Sequence, residues 1–272
     1  MIAKTYKLNP GADLAFADLS SASLNMVDLT GANLTRARLD FAKLRVTKLG
    51  KAGMCGASLE KADLSGAVLT GAVMNGAIFI RAELLGTVFS SARLVMADFY
   101  GVALSDATFD KADLRGANFN NSTMINTSFI GSRLNCADFG RTSLEKIDFS
   151  GAFLQESTFA GAMLHWVNLQ RCSLDYVNFE MAEISECKLE GASFFRGKLA
   201  RADFSGANLS DCNFSEADLT GVMLKRANLK GAKVDGACLD RADFSKAKIT
   251  FEQLSYARSM VGTIMPDGSL HR

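Results

Sequence analysis

The chain has 272 residues, with 30 Lys and Arg against 29 Asp and Glu, and a formal net charge of +1. That balance argues against a strongly basic nucleic-acid binder and against a strongly acidic mimic of nucleic acid. No apolar run approaches the ~20 residues of a membrane-spanning helix, so no membrane span is expected. Two prolines, 23 glycines and 19 phenylalanines against one tryptophan indicate something other than an ordinary mixture of elements.

In chain order, residues 1–11 are expected to form an N-terminal cap. They hold no apolar core of secretory-signal length. Six cysteines follow at 55, 136, 172, 187, 212 and 238, without a CxxC pair. A chain this long needs no disulfide framework, so a reduced, cytoplasmic protein is expected.

From Leu14 to Ile249 every fifth residue is large and apolar, over 48 positions without a slip. They comprise 28 Leu, 14 Phe, three Met, two Ile and one Val. Two residues before each lies a second column, Ala at 31 of its 48 positions and otherwise small, apart from Ile147. The residue between the columns is often Asp or Asn, as in Ala62-Asp63-Leu64 and Ala202-Asp203-Phe204. A period of five fits neither the helix repeat of 3.6 nor the strand repeat of 2. One large and one small inward residue in every five imply a chain that turns a corner at each repeat. Sixteen glycines occupy the last position of a unit, where a corner needs a permissive backbone. Both prolines, Pro10 and Pro266, lie outside the repeat, because a proline inside it would remove a ladder amide.

This pattern, over about nine tenths of the chain, resembles the pentapeptide-repeat family. The resemblance implies an all-β fold, a right-handed quadrilateral parallel β-helix with four pentapeptides per 20-residue coil. The phenylalanines carry the same 20-residue period. Phe79, Phe99, Phe119, Phe139, Phe159 and Phe179 form one series, and Phe89, Phe109, Phe129 and Phe149 another offset by ten, or two sides. The two series are therefore expected to face each other across the coil. Residues 12–249 make about 12 coils, which at ~4.8 Å each give a solenoid about 58 Å long.

Residues 250–272 are expected to form a short C-terminal capping helix and tail, since terminal coils expose core and unpaired edges. Thr250 with Gln253 fits a capping box, and Phe251, Leu254, Ala257 and Met260 are candidates to lie over the last coil. Met265-Pro266-Asp267-Gly268 reads as a turn. The ending Gly262–His271 resembles the tails of many cyanobacterial members. At the other end Ile2, Tyr6 and Leu8 are candidates to cover the first coil. The chain is read as a monomer or an end-to-end dimer through that thinner N-terminal end.

No chemistry converges. His165 and His271 are the only histidines, Cys172, Cys187 and Cys212 fall in the small inward column, and no phosphate loop or nucleophile elbow appears. A filled core leaves no substrate cavity, so no enzyme activity, cofactor, metal or small-molecule substrate is expected. One outward slot runs Lys61, Arg81, Arg141, Arg201, Arg241, with other residues between, and reads as a broken, solvated basic edge. The charge is +3 over residues 1–136, −6 over 137–222 and +4 over 223–272, with Glu180, Glu183, Glu186 and Glu190 in one acidic coil.

Two apolar groups interrupt the polar exterior and are the candidate surfaces for a protein partner. The first is Val73, Ile78, Ile80, Val95, Met96 and Tyr100, with Ile80 expected beside Tyr100. The second is Met163, Trp166 and Met181, with Tyr176, Phe153 and Phe195 near the first side. A non-enzymatic scaffold or regulator follows. The family resemblance also implies two alternatives. One is a DNA mimic that binds a type II topoisomerase, which the net charge disfavours. The other is a secreted or membrane-associated effector, for which no lipidation motif is present.

Overall fold

Where Asp or Asn stands between the inward columns, the repeat accounts for every backbone amide of a pentapeptide, and this accounting builds the fold. We describe it from a computed structural model covering residues 6–184 and 186–271. In the first unit, Leu14 N–H donates to Asn33 C=O on the next coil at 2.7 Å and Phe16 N–H to Thr35 C=O at 2.9 Å. Asn33 N–H donates back to Ala12 C=O at 2.8 Å. Ala17 N–H closes a turn onto Leu14 C=O at 3.1 Å. The fifth amide, that of Ala15, donates to the Asp13 carboxylate at 3.3 Å. The recurrent Asp and Asn thus satisfy the amide two residues on. Ser65 on Asp63, Thr220 on Asp218 and Ser245 on Asp243 repeat the arrangement.

The corner is a turn whose third residue has positive φ, as a type II turn requires. All 47 corner positions from residue 16 to residue 246 take φ between 53° and 73°. Only 16 of them are glycine. The other 31 include the β-branched Val46 (φ 57°) and the bulky Trp166 (φ 53°). The sequence reading tied this conformation to glycine; the coil imposes it on every residue type.

Neighbouring coils pair in parallel through residues 20 apart, as in Asp13↔Asn33, Ser58↔Ile78 and Asn178↔Lys198. The fold is a right-handed β-helix, and most sides contribute a single bridged residue. Four sides extend to three-residue strands: β1 (Ala103–Ser105), β2 (Thr123–Ile125), β3 (Ser143–Glu145) and β4 (Met163–His165). β1 pairs with β2, and β3 with β4. The chain divides into two compact units, Met1–Arg133 and Leu134–Arg272.

Both inward columns are buried along almost their whole length. In the first unit Phe79, Phe99 and Phe119 stack at 4.7 and 4.8 Å, and Phe89, Phe109 and Phe129 at 4.7 and 5.0 Å. Rings of the two columns meet edge to face at 5.7 to 6.0 Å. The stacking distance is the coil rise, so the backbone ladder sets it. In the second unit Phe139 stacks on Phe159 and Phe159 on Phe179. The aromatic axis then shifts by one side to Phe194, Phe204 and Phe214. Polar residues of the small column bond backbone carbonyls, as Thr47 Oγ1 does to Leu24 at 2.8 Å and Thr87 Oγ1 to Leu64 at 3.0 Å.

At the C-terminal end, α1 (Phe251–Leu254) is a single turn with the expected Thr250–Gln253 capping box. Gln253 Nε2 also donates to the carbonyls of Leu229 and Ala232. Leu254 is buried and covers the core, whereas Phe251 is 69% exposed. The expectation that Phe251 lies over the last coil is thereby corrected: one helical turn presents only one side chain inward. After α1 the ladder resumes with a one-residue offset, Cys238↔Ser259 and Asp243↔Ile264, and Thr263 and Met265 fill the inward columns. The Met265–Gly268 turn closes at 2.9 Å and folds Leu270 back onto Ile264. At the N-terminal end Tyr6 is half-buried, Leu8 is exposed and Ile2 lies outside the described residues.

Left-handed backbone costs an L-residue about 1–2 kcal/mol, most severely when it is β-branched. Val46→Gly is therefore expected to raise the urea midpoint, by about 1 kcal/mol of stability after loss of the Val46 contact over Gly66. A lowered midpoint would show that the coil, and not local strain, governs this corner.

Candidate functional site

Corner residues project furthest into solvent, because the vertex of the turn has no neighbour on its outer side. Met96, Trp166 and Met181 are all corner residues, with exposures of 68, 59 and 63%. Residues in the middle of a side lie against the coils before and after. Val73 bridges Gly53 and Arg93, Ile78 bridges Ser58 and Asp98, and both expose less.

In the first unit Val73, Val95 and Met96 gather around one corner, on successive coils. Ile78 occupies the adjoining side, and Ile80 and Tyr100 the next corner. Lys61 N–H donates to Ile80 C=O, and Arg81 N–H to Tyr100 C=O, which sets Ile80 and Tyr100 in one column on consecutive coils. Met96 extends over the next coil, where a Cβ on Gly116 would meet its sulfur at 2.5 Å. Ile80 and Val95 are half-buried, so Ile78, Met96 and Tyr100 are the reachable members of this group. A further apolar set, Phe16, Met26, Phe41 and Val46, is exposed at corners of the first coils. The sequence reading missed it, although the five-residue register marks each as a corner slot.

In the second unit Met163 sits on β4. Met181 occupies the preceding corner one coil on, and Trp166 the corner that follows β4. Lys146 lies 5.6 Å from the Trp166 ring, a cation–π contact. Tyr176 and Phe195 meet edge to face at 5.9 Å, on the corner diagonal to Trp166. There Arg196 lies 5.0 Å over Phe195 and donates to Glu216 at 2.6 Å. Tyr176 and Phe195 thus form a separate, internally satisfied cluster.

Comparison with known proteins identifies the repeat. A family model described as pentapeptide repeats (8 copies) matches residues 12–50, 57–94, 67–106, 187–226, 198–236, 207–245 and 223–251, and one described as a pentapeptide repeat region matches 102–179. The chain belongs to the pentapeptide-repeat family. Among solved structures, this pentapeptide-repeat protein is similar to HetL, a pentapeptide repeat protein involved in heterocyst differentiation regulation from the cyanobacterium Nostoc sp. Strain PCC 7120. The identity is 28%, the match covers 92% of each chain, and the TM-score is 0.35. It is also similar to QnrB1, a plasmid-mediated fluoroquinolone resistance protein, at 13% identity over 61% of this chain and 84% of that one, with a TM-score of 0.35. A pentapeptide repeat protein from the Arabidopsis thaliana thylakoid lumen is 26% identical over 46% of this chain and 74% of that one, with a TM-score of 0.24. Comparison with curated proteins gives no match.

The basic slot of this pentapeptide-repeat protein is built on small neighbours. The stems of Arg141 and Arg201 lie over Gly161 and Gly221 of the next coil, where an added Cβ would be 3.8 and 3.7 Å from their Cγ atoms. Their methylenes pack along the corner and their charged ends reach water. Among the described residues no group of His, Cys, Asp and Glu is arranged to hold a metal. No helix among them is long and apolar enough to cross a membrane.

Cys172, Cys187 and Cys212 are buried and donate to the carbonyls of Phe149, Leu164 and Leu189 at 3.1, 3.3 and 3.0 Å. Burial pushes their thiols up to about 12, 11 and 12. Alkylation of the native protein at mildly alkaline pH is expected to modify the exposed Cys136 and leave these three untouched, as read by peptide mass spectrometry. Because the folded thiols hold their protons above the unfolded value of 9, stability should be full below pH 9 and fall as pH rises toward 11. Modification of all three at the rate of Cys136 would contradict the closed core.

Proposed function

We propose that this pentapeptide-repeat protein is a non-enzymatic scaffold or regulator that binds another protein through outward side chains, most of them at corners. The observation that carries the reading is the exposure of Met96, Tyr100, Met163, Trp166 and Met181, large apolar side chains that the coils leave outside the core. A corner side chain stands clear of the coil and is held by a fully bonded backbone, so it docks with little backbone ordering cost. Trp and Tyr are the residue types that most often anchor interfaces. The closed inward columns supply no catalytic cleft, and we place the protein in the cytoplasm.

The surface does not favour topoisomerase mimicry, since the net charge is +1 and the Arg141, Arg201 and Arg241 slot is basic. Inhibition of gyrase supercoiling at low protein concentration would reverse that judgement. For self-association, end-to-end pairing through the N-terminal coil is also proposed. The amides of Asp13, Asp18, Ser23 and Asp28 bond no backbone carbonyl among the described residues, while Leu14, Leu19, Leu24 and Leu29 are already covered.

In-cell crosslinking followed by affinity purification tests the main reading. The partner bound by wild-type protein is expected to be lost, by about tenfold or more, in Ile80→Ser/Tyr100→Ser or in Trp166→Ala. Unchanged recovery in both variants would remove these surfaces from consideration.

A further inference from the structure

One corner column of the second unit runs through Lys146, Trp166, Glu186, Gly206, Arg226 and Lys246. These residues are 20 apart, so each stands one coil, about 4.8 Å, beyond the last. All six are exposed. Among the described residues, Glu186, Arg226 and Lys246 make no ion pair. The reason is spacing: Glu186 and Arg226 are two coils apart, about 10 Å, with only Gly206 between them. The diagonal corner differs, because Arg196 and Glu216 are on consecutive coils and pair at 2.6 Å. Lys225, beside Arg226, is already engaged by Asp243 at 3.3 Å.

Gly206 leaves an open notch of about 650 Å³ whose lining includes Glu186, Arg226 and Lys246. A Cβ on Gly206 would meet nothing within 4 Å. Read outward from Gly206, the column complements itself. One coil away there is an acid on one side and a base on the other. Two coils away there is an indole on one side and an ammonium on the other.

We propose that this corner is a self-association surface whose occupant is a second copy of the chain, packed antiparallel about a two-fold axis at Gly206. The inference rests on reading the Trp166 group as a contact surface, and it names what occupies that surface. The axis sets Glu186 against Arg226 of the partner subunit and Trp166 against Lys246 of the partner subunit, and symmetry repeats both contacts. The missing side chain at Gly206 lets the two backbones approach, and Lys146 already holds Trp166 through a cation–π contact. From Trp166 to Lys246 the contact spans four coil steps, about 19 Å. A strip of that length falls short of the ~1,000 Å² of a standing interface, so the dimer is weak and salt-sensitive.

Sedimentation equilibrium of the full chain, from micromolar to millimolar concentration at low and high salt, tests the proposal. The expected result is a dimer that weakens as salt rises. Glu186→Arg and Arg226→Glu should each weaken it by about tenfold or more, because symmetry applies each reversal twice. Mixed one to one, these two variants should associate with each other, and Glu186→Arg/Arg226→Glu should dimerise alone. Corners elsewhere carry Arg and Glu at the same φ, as at Arg196 and Glu156, so the variants should fold; circular dichroism and urea midpoints check this. A wild-type chain that stays monomeric, a dimer that persists in both single variants, or a mixture that fails to associate would each overturn the proposal. Loss of a heterologous partner in Trp166→Ala, with self-association unchanged, would overturn it while leaving the proposed function standing.

Discussion

A left-handed residue at every fifth position turns the chain through one corner of a square, and the rest of the structure depends on that turn. Once the corner is made, the small residue's amide closes the turn and the next side runs back toward the coil below. Two amides per unit then face the following coil, one faces the preceding coil, and the last is left to a side chain. The Asp or Asn between the inward columns supplies that side chain. Four amides of the unit are bonded by the coils themselves and the fifth faces outward, so the inside can be wholly apolar. Thirty-one of the corners carry a side chain in a conformation that disfavours one. They tolerate it because each corner amide is tied to the next coil, and the ladder offsets local strain that an isolated turn would relieve.

The same ladder dictates the core. A coil rise of about 4.8 Å is close to the thickness at which aromatic rings stack. A phenylalanine repeated at 20 residues must therefore lie on its predecessor, and two facing columns must meet edge to face. When the aromatic axis shifts by one side at Phe194, the ring contact with Phe179 opens to 6.1 Å and the planes tilt to 62°. The square cross-section accepts this because each side has the same backbone. The cysteines of the small column obey the same rule: with a carbonyl of the preceding coil in reach, they behave as small apolar residues that happen to donate.

Function is left to the outside, where the backbone makes fewer demands. Corner side chains are neither packed inward nor bridged to neighbours, so their identities are free to serve recognition. Arginines use that freedom by laying their stems over glycines, and Met96 does so over Gly116. Trp166 stands beside Lys146 and close to a notch bounded by unpaired charges. Column order, more than composition, decides which charges are spent inside the chain. Arg196 and Glu216 are one coil apart and neutralise each other, whereas Glu186 and Arg226 are two coils apart and remain available.

The amino-acid sequence alone determined the period of five, the two inward columns, the facing phenylalanines, the absence of proline from the ladder and the Thr250–Gln253 capping box. Each depends only on residue type at a fixed spacing, and a repeat multiplies that signal 48 times. It also located the residues of both apolar groups, because the register tells inward from outward. Only the tertiary structure decided how far each outward residue stands from the coil. Ile80 and Val95 sink between neighbours while Met96 and Trp166 do not, a difference that depends on residues 20 positions away. It likewise placed Phe251 in solvent and carried the ladder past α1 to Ser259 and Ile264. The physical reason is common to all of these: the register is a local property of five residues, whereas exposure, pairing and strain relief are contacts between coils.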